Sequence, residues 1–201
     1  MNNLSLLLQI ARELGASEAV IVASADIILE ESLAARCREH CQNYGLAKGC
    51  PPHIAGPSAF RNLLKNHPRA IFFRIDVPAG VLFSNESREV FQLLHEVASG
   101  IEHSATAMGC ADARAFAGGS CKEIFCRENK DCAALTGNGA CRYPVTARPS
   151  MSGCGVDVAK LFQTVGWEMN WATRNPDADP PKMASVCGLV LIGKPELDKP
   201  E

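Results

Sequence analysis

Leu4, Leu7, Leu8, Ala11 and Leu14 recur at the spacing of one helix face and stop at Gly15, which predicts an amphipathic helix closed by a glycine. Ala19-Val20-Ile21-Val22-Ala23 is a short, continuous, β-branched run, the pattern of a strand covered on both faces. Two more such runs follow, Ala70-Ile71-Phe72-Phe73 continuing to Val77, and residues 186–192. Helical patterns lie between them. Residues 30–40 form one, and residues 58–66 another, which follows Gly56-Pro57 and closes before Pro68. The strongest pattern starts near Ser84 or Asn85, has Glu86 and Glu89 in its first turn, and repeats Val90, Phe91, Leu94, Val97 and Ile101 along one face to about Ala107. Val158, Leu161, Phe162 and Val165, ended by Gly166, make a last short helix. Strands alternating with helices predict an α/β or α+β layered domain with a mixed, partly parallel sheet. No internal boundary interrupts residues 1–201, which read as a single domain.

Two stretches break the periodicity. Residues 174–182 hold three prolines and read as a surface loop. Residues 118–152 have almost no apolar periodicity but contain four cysteines, so this insert needs something other than packing to hold it. Ligation to a metal meets that need.

Composition narrows the context. With 201 residues, 47% hydrophobic and 21% charged, the chain can bury a sizeable core and is not of the disordered class. No run approaches the ~18 uncharged apolar residues of a membrane helix. The apolar start has no basic residues before it and runs into Arg12 and Glu13, so a signal peptide is not expected and the context reads as cytoplasmic. A net charge of −2 supplies no overall field for nucleic acid or an anionic bilayer. The outlying number is ten cysteines. Five disulfides would use them all, but a core of this size in a reducing compartment does not need staples, and free thiols there bind metal.

The thiols fall into two groups. The first is Cys37-x3-Cys41-x8-Cys50, followed by Pro51-Pro52. On a helix, Cys37 and Cys41 lie on one face about one turn apart, and Cys50 returns through a turn made by Gly45 and Gly49. Three buried cysteines acting as small hydrophobes would be out of place among Arg36, Arg38, Glu39, His40 and Gln42. The second is Cys121-x4-Cys126-x5-Cys132-x8-Cys141, a full ligand set for zinc or for a [4Fe–4S] cluster. Zinc sites usually present tight cysteine pairs on rigid turns. Here the gaps widen and the loop wraps, which favours the larger cubane and leaves zinc as the alternative. Lys122, Arg127, Lys130, Arg142 and Arg148 interleave with the ligands and would offset the negative charge of a four-thiolate cluster, although Glu123, Glu128 and Asp131 make a solvated mixed-charge loop an equal reading.

The order Cys-x3-Cys, Tyr44-Gly45, Cys-Pro-Pro, a Gly-Gly-Ser-Cys loop, a Cys-x-x-Pro step and Arg-Pro-Ser-Met before Gly-x-Asp-Val resembles the DUF2284 family of predicted metal-binding proteins, over nearly the whole chain from about Val20 to Ile192. The resemblance implies cytoplasmic proteins, largely of anaerobic lineages, believed to carry iron–sulfur clusters and with no established reaction. Its ligand positions here are Cys37, Cys41, Cys50, Cys121, Cys126, Cys132 and Cys141. This chain departs from the family pattern in the wider Cys121–Cys126 gap and in Ser152-Gly153-Cys154 after the Arg-Pro-Ser-Met step.

Seven thiols leave Cys110, Cys154 and Cys187, one of which would complete two cubanes. Cys154 is the first choice, because it lies between two glycines near a helix N-terminus where amide dipoles favour a thiolate. Cys110 comes next, and Cys187, inside an apolar strand, last. The first group could instead be completed by His40, His53 or an exogenous ligand, although both histidines read more simply as surface residues. No Ser-His-Asp order, Walker loop, paired dinucleotide glycines or deaminase signature appears, and 137–139 reads as a turn. Trp167 and Trp171 read as core or rim aromatics. The leading expectation is one or two [4Fe–4S] clusters that exchange electrons with a redox partner protein. The alternatives are an enzyme with a site-differentiated cluster and a zinc-stabilised, non-redox interaction protein.

Overall fold

The computed structural model describes residues 3–137, 139–169 and 182–193. Trp171 and most of the predicted 174–182 loop lie outside the described residues. The elements in chain order are α1 (Asn3–Glu13), β1 (Glu18–Ala23), α2 (Glu31–His40), α3 (Pro57–Asn66), β2 (Arg69–Pro78), α4 (Ser87–Ala107), β3 (Arg114–Ala117), α5 (Cys121–Phe125), α6 (Ala133–Thr136), α7 (Val158–Thr164) and β4 (Met183–Ile192). Short 3₁₀ turns at Ser24–Asp26, Ala79–Phe83 and Ser152–Cys154 join them.

The four strands form one sheet in the order β1-β2-β4-β3. β2 and β4 pair along their full lengths at its centre, from Arg69↔Ile192 to Pro78↔Met183. Side chains on these strands alternate between two cores. Ile71, Phe73, Ile75, Val186 and Val190 point to one face, where Leu7 and Ala11 of α1 and Leu94, Val97 and Ile101 of α4 cover them. Ala70, Phe72, Leu189 and Leu191 point to the other, where they meet Phe60 of α3 and Leu161 and Phe162 of α7. Trp167 stacks on Phe72 with ring centres 5.3 Å apart and takes the Arg74 guanidinium 4.9 Å from its ring centre, so it belongs to this second core and its rim.

The fold is thus α+β, and every strand pair is antiparallel, which corrects the expected mixed, partly parallel sheet. The continuous apolar runs arise because helices cover both faces of the central strands, and that covering is indifferent to strand direction. β3 was not predicted. It is four residues long and bounded by Asp112 and Gly118, too short to show a period. No helix among the described residues is long and apolar enough to cross a membrane.

Candidate metal centre

α2 supplies the first thiols. No residue of this helix is buried and no side chain caps its N-terminus, so apolar packing contributes little to holding it. Cys41 is its C-cap and donates its backbone N–H to the Cys37 carbonyl, 3.2 Å away, which leaves the two thiols one turn apart. Tight turns then return the chain: Cys50 N–H donates to the Ala47 carbonyl at 3.0 Å and Gly45 N–H to the Pro51 carbonyl at 2.8 Å. Cys50 is thereby buried beside Cys37 and Cys41, and all three line a cleft of about 820 Å³ whose other wall includes Ser84, Arg88 and Phe91 at the start of α4. A hollow of about 650 Å³, bounded by Leu33, Arg36 and Ser152, reaches Cys37 and Cys41 from another side.

The loop after β3 supplies the second set. Cys121 opens α5, Cys126 is its C-cap, and Cys132 is the N-cap of α6. These two short helices were not expected in the 118–152 insert. Their few residues and the turn hydrogen bonds of Cys126 and Thr136 wrap the chain so that Cys121, Cys126, Cys132 and Cys141 line one pocket with Ala47, Phe125 and Tyr143. The Phe125 and Tyr143 rings stack 5.2 Å apart. Donors reach the sulfurs: Tyr143 N–H lies 3.4 Å from Cys141 Sγ, and the Gly49 backbone amide bonds Cys121. The interleaved cations have separate tasks. Lys122 closes the loop on the Cys126 and Asn129 carbonyls at 2.9 and 2.5 Å, and Arg142 donates to the Asp131 carbonyl at 2.9 Å. Both also draw the Cys126 thiol down, against the larger upward effects of burial and of Cys141. Arg127 pairs with Glu123 at 3.3 Å on the surface.

Cys154 sits in the Ser152–Cys154 turn, fully buried, and the charge it feels is that of Cys37. Burial first and Cys37 second push its thiol up to about 12, so the amide dipoles expected to favour a thiolate there do not prevail. Burial likewise drives Cys121 to about 12, with Cys50 the next contributor. These groups are protonated thiols until a metal replaces the proton. Cys110 and Cys187 lie apart from both sets. Cys110 is in the α1/α4 core, its thiol raised by burial first and by the charge of Asp112 second. Cys187 is in the β4 strand within the opposite core, raised by burial alone. His40 is exposed in the last turn of α2, and the exposed His53 ring places Nε2 3.1 Å from the Gly45 carbonyl, where it staples the turn. Among the described residues no three His, Cys, Asp or Glu side chains close on a single-ion site.

Across residues 20–192 the chain matches the family model described as "Predicted metal-binding protein (DUF2284)". The chain belongs to this DUF2284 family. No curated protein and no solved structure matches it. The predicted metal binding of the family agrees with the donor chemistry described above, since four cysteines around one pocket are a complete ligand set for zinc or for a cubane.

A buried network behind the DUF2284 cysteine loop was only partly legible. Arg148 Nη2 lies 2.6 Å from Glu102 Oε2, and the other oxygen of Glu102 accepts from Ala115 N–H at 2.7 Å. The backbone N–H of Arg148 donates to His95 Nδ1 at 3.0 Å, and its Nη1 donates to the Ala147 carbonyl at 3.0 Å. Together these tie the end of the cysteine loop to α4. Arg148 was singled out only as a cation near the ligands. His95 and Glu102 were missed, though Phe91, His95, Ala98 and Glu102 fall on one helical face, so two polar residues interrupting that stripe were the available signal.

Proposed function

We propose that this DUF2284 protein holds two [4Fe–4S] clusters and exchanges single electrons with a partner protein. The observation that supports the reading is that four thiols share one pocket, Cys121, Cys126, Cys132 and Cys141, while Cys37, Cys41 and Cys50 line one cleft. Cys154, in the turn packed on α2, feels the charge of Cys37 and is the thiol we assign as fourth ligand of that set. A cluster supplies one-electron chemistry when bound. The chain's own residues would ligate it through thiolates, donate to the sulfurs from Tyr143 N–H, Gly49 N–H and the Ser120 hydroxyl, and cover one side with the buried Phe125 ring. Sites closed by four thiolates relay electrons rather than bind substrate, by the same logic that separates closed from open zinc sites.

The cleft beside Cys37, Cys41 and Cys50 favours a second reading, in which Cys154 does not ligate and one iron of that cluster binds a small molecule. Cyanide added to reduced protein distinguishes the two by electron paramagnetic resonance. The electron-transfer reading predicts an unchanged wild-type spectrum and loss of the first-set cluster in Cys154→Ala. A cyanide-shifted wild-type signal that vanishes in Cys50→Ala, with Cys154→Ala retaining both clusters, establishes the open site instead.

A further inference from the structure

The two thiol sets meet along a single seam. Cys50 Sγ and Ser120 Oγ are 3.2 Å apart although 70 residues separate them in sequence. Next to this contact, Gly49 lies against Cys121: a methyl group built on its Cα would sit 3.1 Å from Cys121 Sγ, closer than such contacts normally come. The seam is fixed from behind. Ser150 N–H donates to the Gly49 carbonyl at 2.9 Å, while Ala117 N–H donates to Pro149 and Met151 N–H returns to Ala117, both at 3.0 Å. Residues 149–151 therefore strap Gly49-Cys50 to the end of β3, which Ser120 and Cys121 follow after only Gly118-Gly119.

We infer that the seam of Gly49 and Cys50 against Ser120 and Cys121 couples the two metal sites into one two-centre electron path, with Ser120 as the residue that sets the potential of the first. The inference rests on the two-cluster reading above. Cys50 of one set touches Ser120, the residue before Cys121, and Gly49, the residue before Cys50, lies against Cys121 of the other set, so a ligand of each set stands at the seam. Glycine at position 49 permits that approach. The Ser120 hydroxyl has a sulfur as its hydrogen-bond partner, and a hydroxyl donated to a ligating thiolate stabilises the reduced, more negative cluster, which raises its reduction potential. The step is a simple exchange. Clusters held by the two thiol sets would supply one-electron chemistry, an electron from an external donor passing from one to the other so that oxidation of the first balances reduction of the second; the chain's own part is to hold the two sets together at Gly49 and Cys50 against Ser120 and Cys121.

Electron paramagnetic resonance on the fully dithionite-reduced, full-length protein reads the coupling. Two reduced clusters joined by this seam give a broadened, split spectrum from spin–spin interaction, and Cys132→Ala, which retains only the first-set cluster, collapses it to one isolated signal. Redox titration then reads Ser120. Ser120→Ala moves the first-set potential down and leaves the second unchanged, and Ser120→Thr, which keeps the hydroxyl, restores it. A merely structural role for Ser120 would not discriminate between the two clusters. Two full-occupancy clusters whose spectrum is the plain sum of independent signals overturn the coupling, and equal or absent potential shifts in Ser120→Ala overturn the role of Ser120. A protein without iron and sulfide fails earlier, at the cluster assignment itself.

Discussion

Ten thiols of identical chemistry are divided by their surroundings. Cys187 lies in a core with Phe116, Leu189 and Leu191 and is driven up to about 12 by burial, so Cys187→Ala is an ordinary small-cavity change of about 1 kcal/mol. Cys132 and Cys141 line the thiol pocket of a loop with little apolar surface, where on the proposed reading a lost thiol is a lost ligand. Cys132→Ala or Cys141→Ala should therefore lower the denaturation midpoint of metal-loaded protein more than Cys187→Ala does, and should open residues 121–148 to protease. Equal midpoints would mean that the loop is held by something other than these thiols. His95 makes a separate prediction. Burial, with a smaller effect from Arg148, holds its imidazole down to about 4 from an ordinary value of 6.5. The folded state therefore refuses a proton that the unfolded chain accepts, and stability is lost as pH falls from about 6.5 toward 4, by at most about 3 kcal/mol. His95→Gln, which keeps an acceptor for Arg148 N–H but does not titrate, should flatten that slope in urea unfolding; parallel slopes would assign the acid sensitivity elsewhere. The grouping of Cys121, Cys126, Cys132 and Cys141 around one pocket was readable because the four thiols recur in one segment. The Cys50–Ser120 contact was not, since nothing in either segment marks a partner 70 residues away.

Among the elements, the long ones with an apolar face were legible, and the shortest ones, β3, α5 and α6, were not. α4, with Leu94, Val97 and Ile101 buried, and the central strands β2 and β4 were placed to within a few residues, because packing against a core imposes a period. Strand direction was misjudged for the reason that two covered faces produce the same apolar run in either orientation. α5 and α6 escaped notice because they are one turn or so each and exist to aim thiols. α2 was anticipated, yet it buries no residue, and the contacts that position it are the turn carrying Cys154 and the thiols at its end. Hydrogen exchange should report this division. On metal removal, amides of α2 and of residues 121–148 are expected to lose protection while β2 and β4 keep theirs. Uniform loss throughout the sheet would show that the metal supports the whole fold, and unchanged α2 amides would show that the helix stands without its ligands.

At the scale of the molecule, an antiparallel sheet lies between two helical layers, and the thiol region is built from three segments: the end of α2 with its return turn, the loop after β3, and the strap ending at Cys154. The buried Glu102–Arg148–His95 network fastens that strap to α4, so the placement of the thiols is set by the body of the protein as well as by the loops. The whole account depends on what the thiols hold. Iron, acid-labile sulfide and zinc analysis of protein made and purified without oxygen decides it. Two four-thiol sets predict brown protein with iron and sulfide in near-equal amounts and about eight irons per chain. Colourless protein with stoichiometric zinc and no sulfide would contradict the account.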